Sequence, residues 1–419
     1  MSEIFTPYKL GPIELRNRTI RSAAFEGMGK GNAPTEELLN YHKAVARGGI
    51  GMTTVAYAAV CQSGISFDSQ LWMREEIVPQ LKELTDAVHA EGAKAGIQLG
   101  HCGNMTHRST CGQMPIGAIN GFNLYSPTFY RRMNQKDIDF VVKSYGKAVK
   151  LAMEAGFDAV EIHAGHGYLI SQFLSPYTNH RHDRYGGSLD NRMNFMRECM
   201  HEVIAAAEGK IAVTVKLNTR DGFKGGQEVD ELIEVAKELR KLGVDAITLS
   251  GGFVSRAPQY VMRGEFPTKA IAHYLPKSQW WLKIGLHLGA WLVCPTVTFK
   301  HLFFMEDALK FKEAMPDFTF IYVGGVTTGE DAKKVLENGF PLFQMGRAVL
   351  EDTDFVNKLK ADEEHCSGCT HSNFCIGRMY SKSMQCHKHC VDITPALEKE
   401  VKRIEKRNAK REAKLAASK

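Results

Sequence analysis

The sequence predicts an α/β fold, a (β/α)8 barrel followed by a cysteine-rich segment and a charged helical tail. Two observations predict the barrel: a helical pattern, a glycine and a short apolar run recur along the 419 residues, and the apolar runs do not alternate with polar residues. Continuous apolar runs are typical of strands buried on both faces, and helices between them indicate parallel pairing. A doubly wound sheet is the alternative, but no Gly-x-Gly-x-x-Gly motif follows the first strand.

Eight apolar runs are the predicted strands. A glycine before a run fits the end of a helix, where a left-handed conformation stops it. The runs are Thr19–Ala24, Met52–Ala56, Ala95–Leu99, Val160–Ile162, Ile211–Leu217, Ile247–Leu249, Phe318–Val323 and Leu342–Met345. We therefore assign residues 1–358 to a (β/α)8 barrel with an enlarged insertion at 250–318, residues 359–395 to the cysteine-rich segment and 396–419 to the tail.

Charge and composition exclude several classes of protein. The net charge is +6, and residues 396–419 alone hold nine Lys and Arg against four Glu. The rest is nearly neutral, so a nucleic-acid surface is not expected. A solvated helix is the simpler interpretation of the tail, and a helix that docks an acidic partner is the alternative.

The sequence also predicts a cytoplasmic protein. Its first residues lack the basic and apolar regions of a signal peptide. The most apolar stretch, around residues 280–293, is interrupted by Lys283, His287 and Gly289, and it is too short to span a bilayer. Ten cysteines without a signal peptide indicate a reducing compartment.

Polar residues and glycines cluster where the predicted strands end, which is where the active sites of such barrels lie. They include Glu26 beside Phe25, and Gln98, His101, His163, His166, Lys216, Ser250, Gly324, Gly325, Gly346 and Arg347. The glycines after strands seven and eight, with Arg347, occupy the usual phosphate-binding position. A tight turn is the alternative for a glycine pair alone.

Lys216 lies in a run that otherwise has the character of a buried strand. An unpaired buried cation is costly, so an anionic partner is expected. One expectation is a salt bridge with a carboxylate of the neighbouring strand, such as Glu161. The other is a cation beside a cofactor that becomes anionic when it is reduced.

Two histidines and a tyrosine lie within six residues, in His163-Ala164-Gly165-His166-Gly167-Tyr168, directly after the fourth predicted strand. Both imidazoles can donate to one ligand oxygen, and the phenol can offer a proton beside it. A satisfied core histidine is the alternative for His163, but three such groups at one strand end favour a site.

This segment, together with Asn179–Arg192, resembles the flavin-dependent Old Yellow Enzyme family, the NADH:flavin oxidoreductases. Phe5-Thr6-Pro7 and Leu15-Arg16-Asn17-Arg18 resemble it too, so the likeness covers roughly residues 1–358. The family implies FMN as cofactor, NAD(P)H as electron donor, and reduction of the activated C=C bond of an α,β-unsaturated carbonyl, enoate or enoyl compound. We also expect a homo-oligomer.

The resemblance assigns roles residue by residue. His163 and His166 would hold the substrate oxygen, and Tyr168 would donate the proton. Lys216 stands where the family usually has Arg, and it would lie beside the flavin pyrimidine. The other implied flavin contacts are Ser22, Ala23, Ala24, Phe25, Tyr57, Gln98, Gly324, Gly325, Gly346 and Arg347. Phe25 departs from the Thr or Cys that relatives often carry. His101 and Arg263 are candidates for substrate contact.

The segment between Ser250 and Val323 is longer than one βα unit requires. One interpretation is a lid over the substrate pocket, in which Arg263 meets a carboxylate or phosphate. The other is an extra helix pair over the barrel end, or a dimer surface, that includes the tryptophans Trp280, Trp281 and Trp291.

Five cysteines follow within 25 residues: Cys366, Cys369, Cys375, Cys386 and Cys390. This density indicates a metal site. The iron–sulfur branch of the family, which includes dienoyl-CoA reductase-like enzymes, carries a similar motif, so the resemblance implies a [4Fe–4S] cluster on the first four. Ser372 stands where near relatives have Cys, and Cys366 could replace that ligand. Zinc, or no metal, is the alternative.

Two other functions are compatible with the same predicted barrel, site residues and cysteine-rich segment. One is an amine dehydrogenase or demethylase with the cluster as electron exit, and the other is a non-catalytic flavin- or metal-binding barrel. The pair His163 and His166 favours an oxygen anion over a cationic amine, and the intact Tyr168 argues against lost activity. Because no dinucleotide fingerprint is present, either NAD(P)H reduces the flavin directly or a separate electron-transfer protein feeds the cluster.

Overall fold

In the computed structural model, eight parallel strands close into a barrel in chain order, and the eighth strand pairs with the first. The structure describes residues 3–124, 126–280, 282–286 and 294–417. Barrel strands 1 to 8 are Thr19–Arg21, Met52–Ala59, Lys94–Gly100, Ala159–His163, Ala212–Asn218, Ala246–Ser250, Phe320–Val323 and Leu342–Met345. The barrel prediction is confirmed, although strand 1 ends at Arg21 rather than at Ala24.

Helices cover the outside of the barrel between successive strands. They are Glu36–Arg47, Val78–Ala90, Gln135–Glu154, Leu189–Ala207, Val229–Lys241, Met305–Ala314 and Gly329–Glu337. Two of these helices begin with a capping box, which the Asn134 and Thr328 side chains complete. Their apolar faces pack on the outer faces of the strands and form the main core.

A hairpin of Tyr8–Leu10 and Ile13–Leu15 covers the amino ends of the barrel strands. Its apolar side chains pack with the first residues of several strands, Met52, Ala159 and Leu342 among them. This apolar plug leaves the carboxyl ends of the strands as the place for a polar site.

The remaining shorter elements lie in the connections between these strands and helices and toward the ends of the chain. They are the strands Ile116–Gly117, Gly121–Asn123 and Thr128–Arg132, the helices Arg108–Cys111, Leu169–Leu174, Pro258–Met262, Thr268–Tyr274, Arg347–Glu351, Phe355–Ala361, Phe374–Arg378 and Pro395–Ala417, and the 3-10 helices Glu3–Phe5, Gln62–Gly64, Glu75–Ile77, Lys277–Gln279 and His387–His389. Within the described ranges, no helix is both long and apolar enough to cross a membrane.

The insertion and the C-terminal segment share a small core of their own. Ala270 and Tyr274 of the insertion pack with Phe374, Leu397 and Val401. This packing favours the extra-helix interpretation of the insertion over a freely moving lid. The predicted roles of Trp281 and Trp291 lie outside the described residues.

The charged tail is helical, as predicted, but only one of its faces is solvated. Leu397, Val401 and Ile404 are at most 5% exposed. The guanidinium of Arg407 pairs with the Glu265 carboxylate of the insertion at 2.6 Å. The tail therefore fastens the insertion beside the cysteine-rich segment.

Candidate active site

A cleft opens at the carboxyl ends of the barrel strands and encloses about 1020 Å³ of empty space, counted with its mouth. Strands 1, 5, 6, 7 and 8, the insertion and the cysteine-rich segment all contribute to its wall. The predicted site residues in that wall are Ser22, Ala23, Ala24, His166, Lys216, Gly324, Gly325, Gly346 and Arg347. Residues more than 300 positions apart in sequence therefore meet at one site, as the barrel topology predicts.

Lys216 and Glu161 form a buried ion pair below the cleft. The Lys216 Nζ lies 2.9 Å from a Glu161 carboxylate oxygen, and the two side chains are 3% and 4% exposed. Glu161 also accepts hydrogen bonds from Gln98, Thr248 and Gln344, at 2.7, 2.9 and 2.7 Å. Burial acts to raise the pKa of Glu161, but the charge and hydrogen bonds of these neighbours hold that pKa below its usual value.

The same ammonium faces the cleft. The Lys216 Nζ is 3.4 Å from the Ser22 hydroxyl, and both residues line the wall. The expected salt bridge is therefore present, and the cation is also placed where a ligand could meet it. Gln98 reaches this site only through Glu161, since it is not part of the wall.

Gln344 is a site residue that the sequence analysis missed. It lines the cleft, and its Nε2 donates to Glu161 and, at 3.1 Å, to the Thr248 hydroxyl. Because a carboxylate only accepts, the amide orientation is fixed. The Gln344 Oε1 is then buried and has no partner among the described residues. An unsatisfied buried acceptor costs about 1–3 kcal/mol, so a ligand N–H is a suitable partner.

The rings of His163, His166 and Tyr168 pack against one another after strand 4. The His163 ring centroid lies 5.0 Å from that of His166 and 4.6 Å from that of Tyr168. The Nδ1 of His163 accepts from the Gly165 N–H at 3.4 Å, so Nε2 carries its proton. His166 itself lines the cleft, while His163 and Tyr168 pack behind it.

The backbone holds His166 in a left-handed conformation, with φ at +59°. Its N–H donates to the Asn218 side chain at 3.0 Å, and its Nε2 lies 2.7 Å from the Ser250 hydroxyl. A strained conformation held by such contacts is common where a side chain must be aimed. Ser250 follows from the sequence as a strand-end residue, but its contact with His166 does not.

The imidazoles are uncharged near neutral pH. Burial, assisted by the charge of Lys216, lowers the pKa of His166 to about 3. Burial, with His166 and Lys216, also brings the pKa of His163 well below its usual value. Burial raises the pKa of the Tyr168 phenol above its usual value. The group therefore offers neutral N–H donors and a protonated phenol.

Glycines and Arg347 form the other end of the cleft. Gly324 and Gly325 adopt φ angles of +132° and +81°, and a Cβ on Gly324 would lie 2.7 Å from the ring of Phe304. Arg347 donates to the Asn373 side chain at 3.3 Å. No carboxylate of the described ranges lies within 4.0 Å of its guanidinium. A cation without a counter-ion beside bare backbone suits an anionic group.

Four other predicted residues do not line the cleft wall: His101, Phe25, Tyr57 and Arg263. The His101 Nδ1 accepts from the Gly103 N–H at 2.9 Å, its Nε2 lies 3.0 Å from the Ser63 hydroxyl, and burial lowers its pKa to about 3. Both ring nitrogens are thus engaged, so His101 supports its own loop in this structure. Phe25 stacks on Phe67 at 4.8 Å, and the Tyr57 ring packs 5.1 Å from that of Tyr168.

Three of the four predicted cysteine ligands share one small cavity. Cys369, Cys375 and Cys386 line it together with His387, and Arg347 forms part of its wall. Cys375 also lines the main cleft, so the two cavities adjoin. Cys366 is exposed, and its thiol donates to the Glu364 carbonyl at 3.2 Å.

A metal site is not assembled in this arrangement. Within the described ranges, no group of three or more His, Cys, Asp or Glu residues is placed to hold a metal ion. The Nε2 of His387 instead lies 3.1 Å from the Glu405 carboxylate of the tail. The donor types suit a metal, but the positions do not fit one, and the predicted iron–sulfur or zinc site stays a prediction.

The main cleft has the donor set that a flavin mononucleotide requires. Lys216 and the orphaned Gln344 oxygen suit the polar edge of a flavin ring, and Arg347 with the glycine turn suits a phosphate. Such a cleft at the carboxyl face of a (β/α)8 barrel is compatible with a flavin-dependent oxidoreductase. The chain belongs to the NADH:flavin oxidoreductase / NADH oxidase family, whose sequence profile matches residues 3–274. It is an NAD(P)H:flavin oxidoreductase, and the resemblance seen in its sequence is confirmed.

Individual relatives are similar over different lengths. A 4,4'-dithiodibutanoate disulfide reductase of Rhodococcus erythropolis is 37% identical over 379 residues, which are 90% of this chain and 93% of that protein. An NADPH dehydrogenase of Listeria welshimeri is 36% identical over 263 residues, 62% of this chain and 76% of that one. The solved Old Yellow Enzyme homologue of Zymomonas mobilis is similar in fold, with a TM-score of 0.71 and 21% identity over 94% of this chain and 99% of that one.

Proposed function

We propose that the chain binds FMN and uses electrons from NAD(P)H to reduce the activated C=C bond of a small α,β-unsaturated carbonyl, enoate or enoyl compound. The observation that carries this proposal is the packed group of His163, His166 and Tyr168, with both imidazoles neutral and the phenol protonated. Neutral N–H donors stabilise the negative charge that develops on a carbonyl oxygen, and a phenol can supply the proton.

The residues that would hold the cofactor follow from the cleft wall. Lys216 and Gln344 would bind the polar edge of the flavin ring. The ring face would lie against Ser22, Ala23 and Ala24, and the phosphate would be held by Gly324, Gly325, Gly346 and Arg347. When bound, FMN supplies a hydride carrier that accepts electrons from NAD(P)H. Lysine keeps a positive charge beside it but lacks the planar fork of the usual arginine.

The chain's own residues would then act on the acceptor. His163 and His166 would donate to the carbonyl oxygen and hold the substrate in one orientation. Tyr168 would deliver its proton to the α-carbon once negative charge has developed there. Its raised pKa keeps the phenol protonated until that moment, which suits a general acid acting on a strongly basic carbon.

Reduction of an organic disulfide is a second candidate. It is favoured by the relative of 37% identity over 90% of the chain, which is named for the disulfide 4,4'-dithiodibutanoate. A hydride delivered to one sulfur would break the S–S bond and give one thiol and one thiolate. The thiolate would take its proton from solvent, because a phenol of raised pKa is a weaker acid than a thiol, so this reaction would not require Tyr168.

One assay with two acceptors separates the candidates. FMN-loaded protein would receive NADPH or NADH with 2-cyclohexen-1-one, with 4,4'-dithiodibutanoate, or with neither, under anaerobic conditions. A higher kcat/KM for the enone supports the first proposal, and a higher value for the disulfide supports the second. Failure to turn over either compound, in protein whose flavin NAD(P)H does reduce, would reject both.

A further inference from the structure

A second guanidinium, that of Arg263, packs behind the cleft wall near Arg347 and does not itself line the wall. Arg263 follows the helix Pro258–Met262 of the insertion and is 7% exposed. Its guanidinium lies 4.7 Å from the ring centroid of Tyr260, 4.6 Å from that of Phe303 and 5.4 Å from that of Phe304. The rings hold the cation in place but do not neutralise it.

The same phenylalanines touch the glycine turn. Phe303 and Phe304 line the cleft, and their rings lie where a Cβ on Gly324 or Gly325 would come within 2.7 to 2.9 Å of them. Arg263 is thereby packed on the residues that shape this end of the cleft. The flavin-binding motifs do not predict this contact, because Arg263 belongs to the insertion and not to any of those motifs.

Arg263 has no anionic partner in the part of the chain that the structure describes. No carboxylate within the described ranges lies within 4.0 Å of it, and its Nε is buried without a hydrogen-bond partner among those residues. Burial lowers the pKa of Arg263, and the positive charge of Arg347 acts in the same direction. Two arginines that repel each other, one of them buried, leave a site with an unbalanced positive charge.

Asn373 links the two arginines. Its Nδ2 donates to the Arg263 carbonyl at 2.6 Å, and its Oδ1 accepts from the Arg347 guanidinium at 3.3 Å. Arg263 itself has a φ of +53°, a conformation that side-chain-bearing residues rarely adopt. A strained backbone clamped beside a cation of like charge indicates a position set by a ligand rather than by stability.

We propose that Arg263 is a second cation of this anion site and that, together with Arg347, it binds a phosphate monoester dianion, the terminal phosphate of FMN. This inference rests on the proposed flavin binding and adds a residue that the family motifs do not supply. Two guanidinium groups can balance both charges of a phosphate monoester, which Arg347 alone cannot.

Riboflavin provides the test because it is FMN without the phosphate. Apoprotein would be titrated with FMN and with riboflavin, and the dissociation constants followed by quenching of flavin fluorescence. Arg263→Met keeps the buried volume but removes the charge. It should raise the Kd for FMN by about tenfold or more and leave the Kd for riboflavin within about twofold. Arg263→Lys should retain most of the preference for FMN.

Two further variants calibrate the result. Arg347→Met should show the same selective loss. Arg256→Met removes an exposed arginine of the same insertion, which packs over Tyr177 at 5.6 Å, and it should change neither Kd. Inorganic phosphate should compete with FMN in the wild type, and less effectively in Arg263→Met.

Three outcomes would overturn the inference or its basis. Equal weakening of FMN and riboflavin binding by Arg263→Met would show that Arg263 shapes the cleft and does not bind phosphate. Unchanged Kd values for both flavins would exclude Arg263 from the anion site. Wild-type protein that binds neither flavin would instead reject the proposed function itself. A thermal melt of each variant excludes loss of the fold as the cause.

Discussion

The ammonium of Lys216 lies 2.9 Å from the carboxylate of Glu161, with both side chains almost completely buried, and the pair connects the barrel interior to the cleft. The register places Lys216 beside His163 on strand 4 and Thr248 on strand 6, so the cation is also close to the histidine–tyrosine group. The Lys216–Glu161 ion pair therefore affects both the stability of the barrel and the charge at the cleft.

Removal of the Lys216 charge should destabilise the fold. Lys216→Met would leave the Glu161 carboxylate buried without a counter-ion, and we expect a loss of about 3–5 kcal/mol in the free energy of unfolding. Urea denaturation of apoprotein measures it. The double variant Lys216→Met/Glu161→Gln should recover much of the loss, and the exposed Lys237→Met is the matched control. Equal stability of Lys216→Met and Lys237→Met would contradict this view.

Acid should destabilise the protein in a defined window. The folded-state pKa values of His163 and His166 lie below that of an unfolded histidine, about 6.5, so the unfolded chain takes up protons first as the pH falls. The contribution of the two histidines to the free energy of unfolding is therefore fully present above about pH 6.5. It decreases as the pH falls toward 3, by about 1.4 kcal/mol per pH unit for each histidine. Glu161, whose pKa is also lowered, adds to the loss below about pH 4.3.

The histidine contribution is measured by urea unfolding at pH 7 and pH 5. His166→Asn should reduce the difference in stability between these two pH values by the share of one histidine. An unchanged difference would mean that His166 is not held neutral by the fold.

Tyr168→Phe should separate the two half-reactions. Loss of the phenol proton should slow reduction of the enone by roughly 10²–10⁴-fold, while reduction of the flavin by NAD(P)H proceeds as in the wild type. Anaerobic stopped-flow spectroscopy follows each half-reaction by flavin absorbance. Tyr177→Phe, which changes an exposed phenol, is the control. Equal rates of enone reduction in Tyr168→Phe and the wild type would remove the proton-donor assignment.

The cysteines that line the small cavity are not the same set as the four that the sequence motif selects, so the two lead to different predictions for metal binding. Any iron or zinc that copurifies should be lost in Cys375→Ser and Cys386→Ser, whose thiols line the cavity, and retained in Cys366→Ser, whose thiol is exposed. Elemental analysis of anaerobically purified protein measures this. Equal loss in Cys366→Ser would restore the four-cysteine site that the spacing suggested.

The sequence predicts the barrel and the histidine–tyrosine group well because both are local patterns. An apolar run between helices specifies a buried parallel strand without knowledge of its partners, and the (β/α)8 topology then places every strand end at the same face. His166, Lys216 and Arg347 could therefore be placed at one site before any contact was known.

Contacts between segments far apart in sequence could not be predicted in this way. Nothing local indicates that Gln344 would meet Glu161, or that Asn373 would join Arg263 to Arg347. Charged residues dominate the sequence of the tail, so its composition does not indicate that Leu397, Val401 and Ile404 are buried. Cys366 fits the spacing of a metal motif, yet its loop turns it toward solvent, and spacing alone does not specify a loop's direction.

The most direct test of the account is a visible spectrum of the protein purified under anaerobic conditions and supplied with FMN, recorded before and after NADH or NADPH is added. We predict flavin bands that shift on binding and are bleached by at least one of the two nucleotides. Folded protein that binds no FMN, or bound flavin that neither nucleotide reduces, would contradict it.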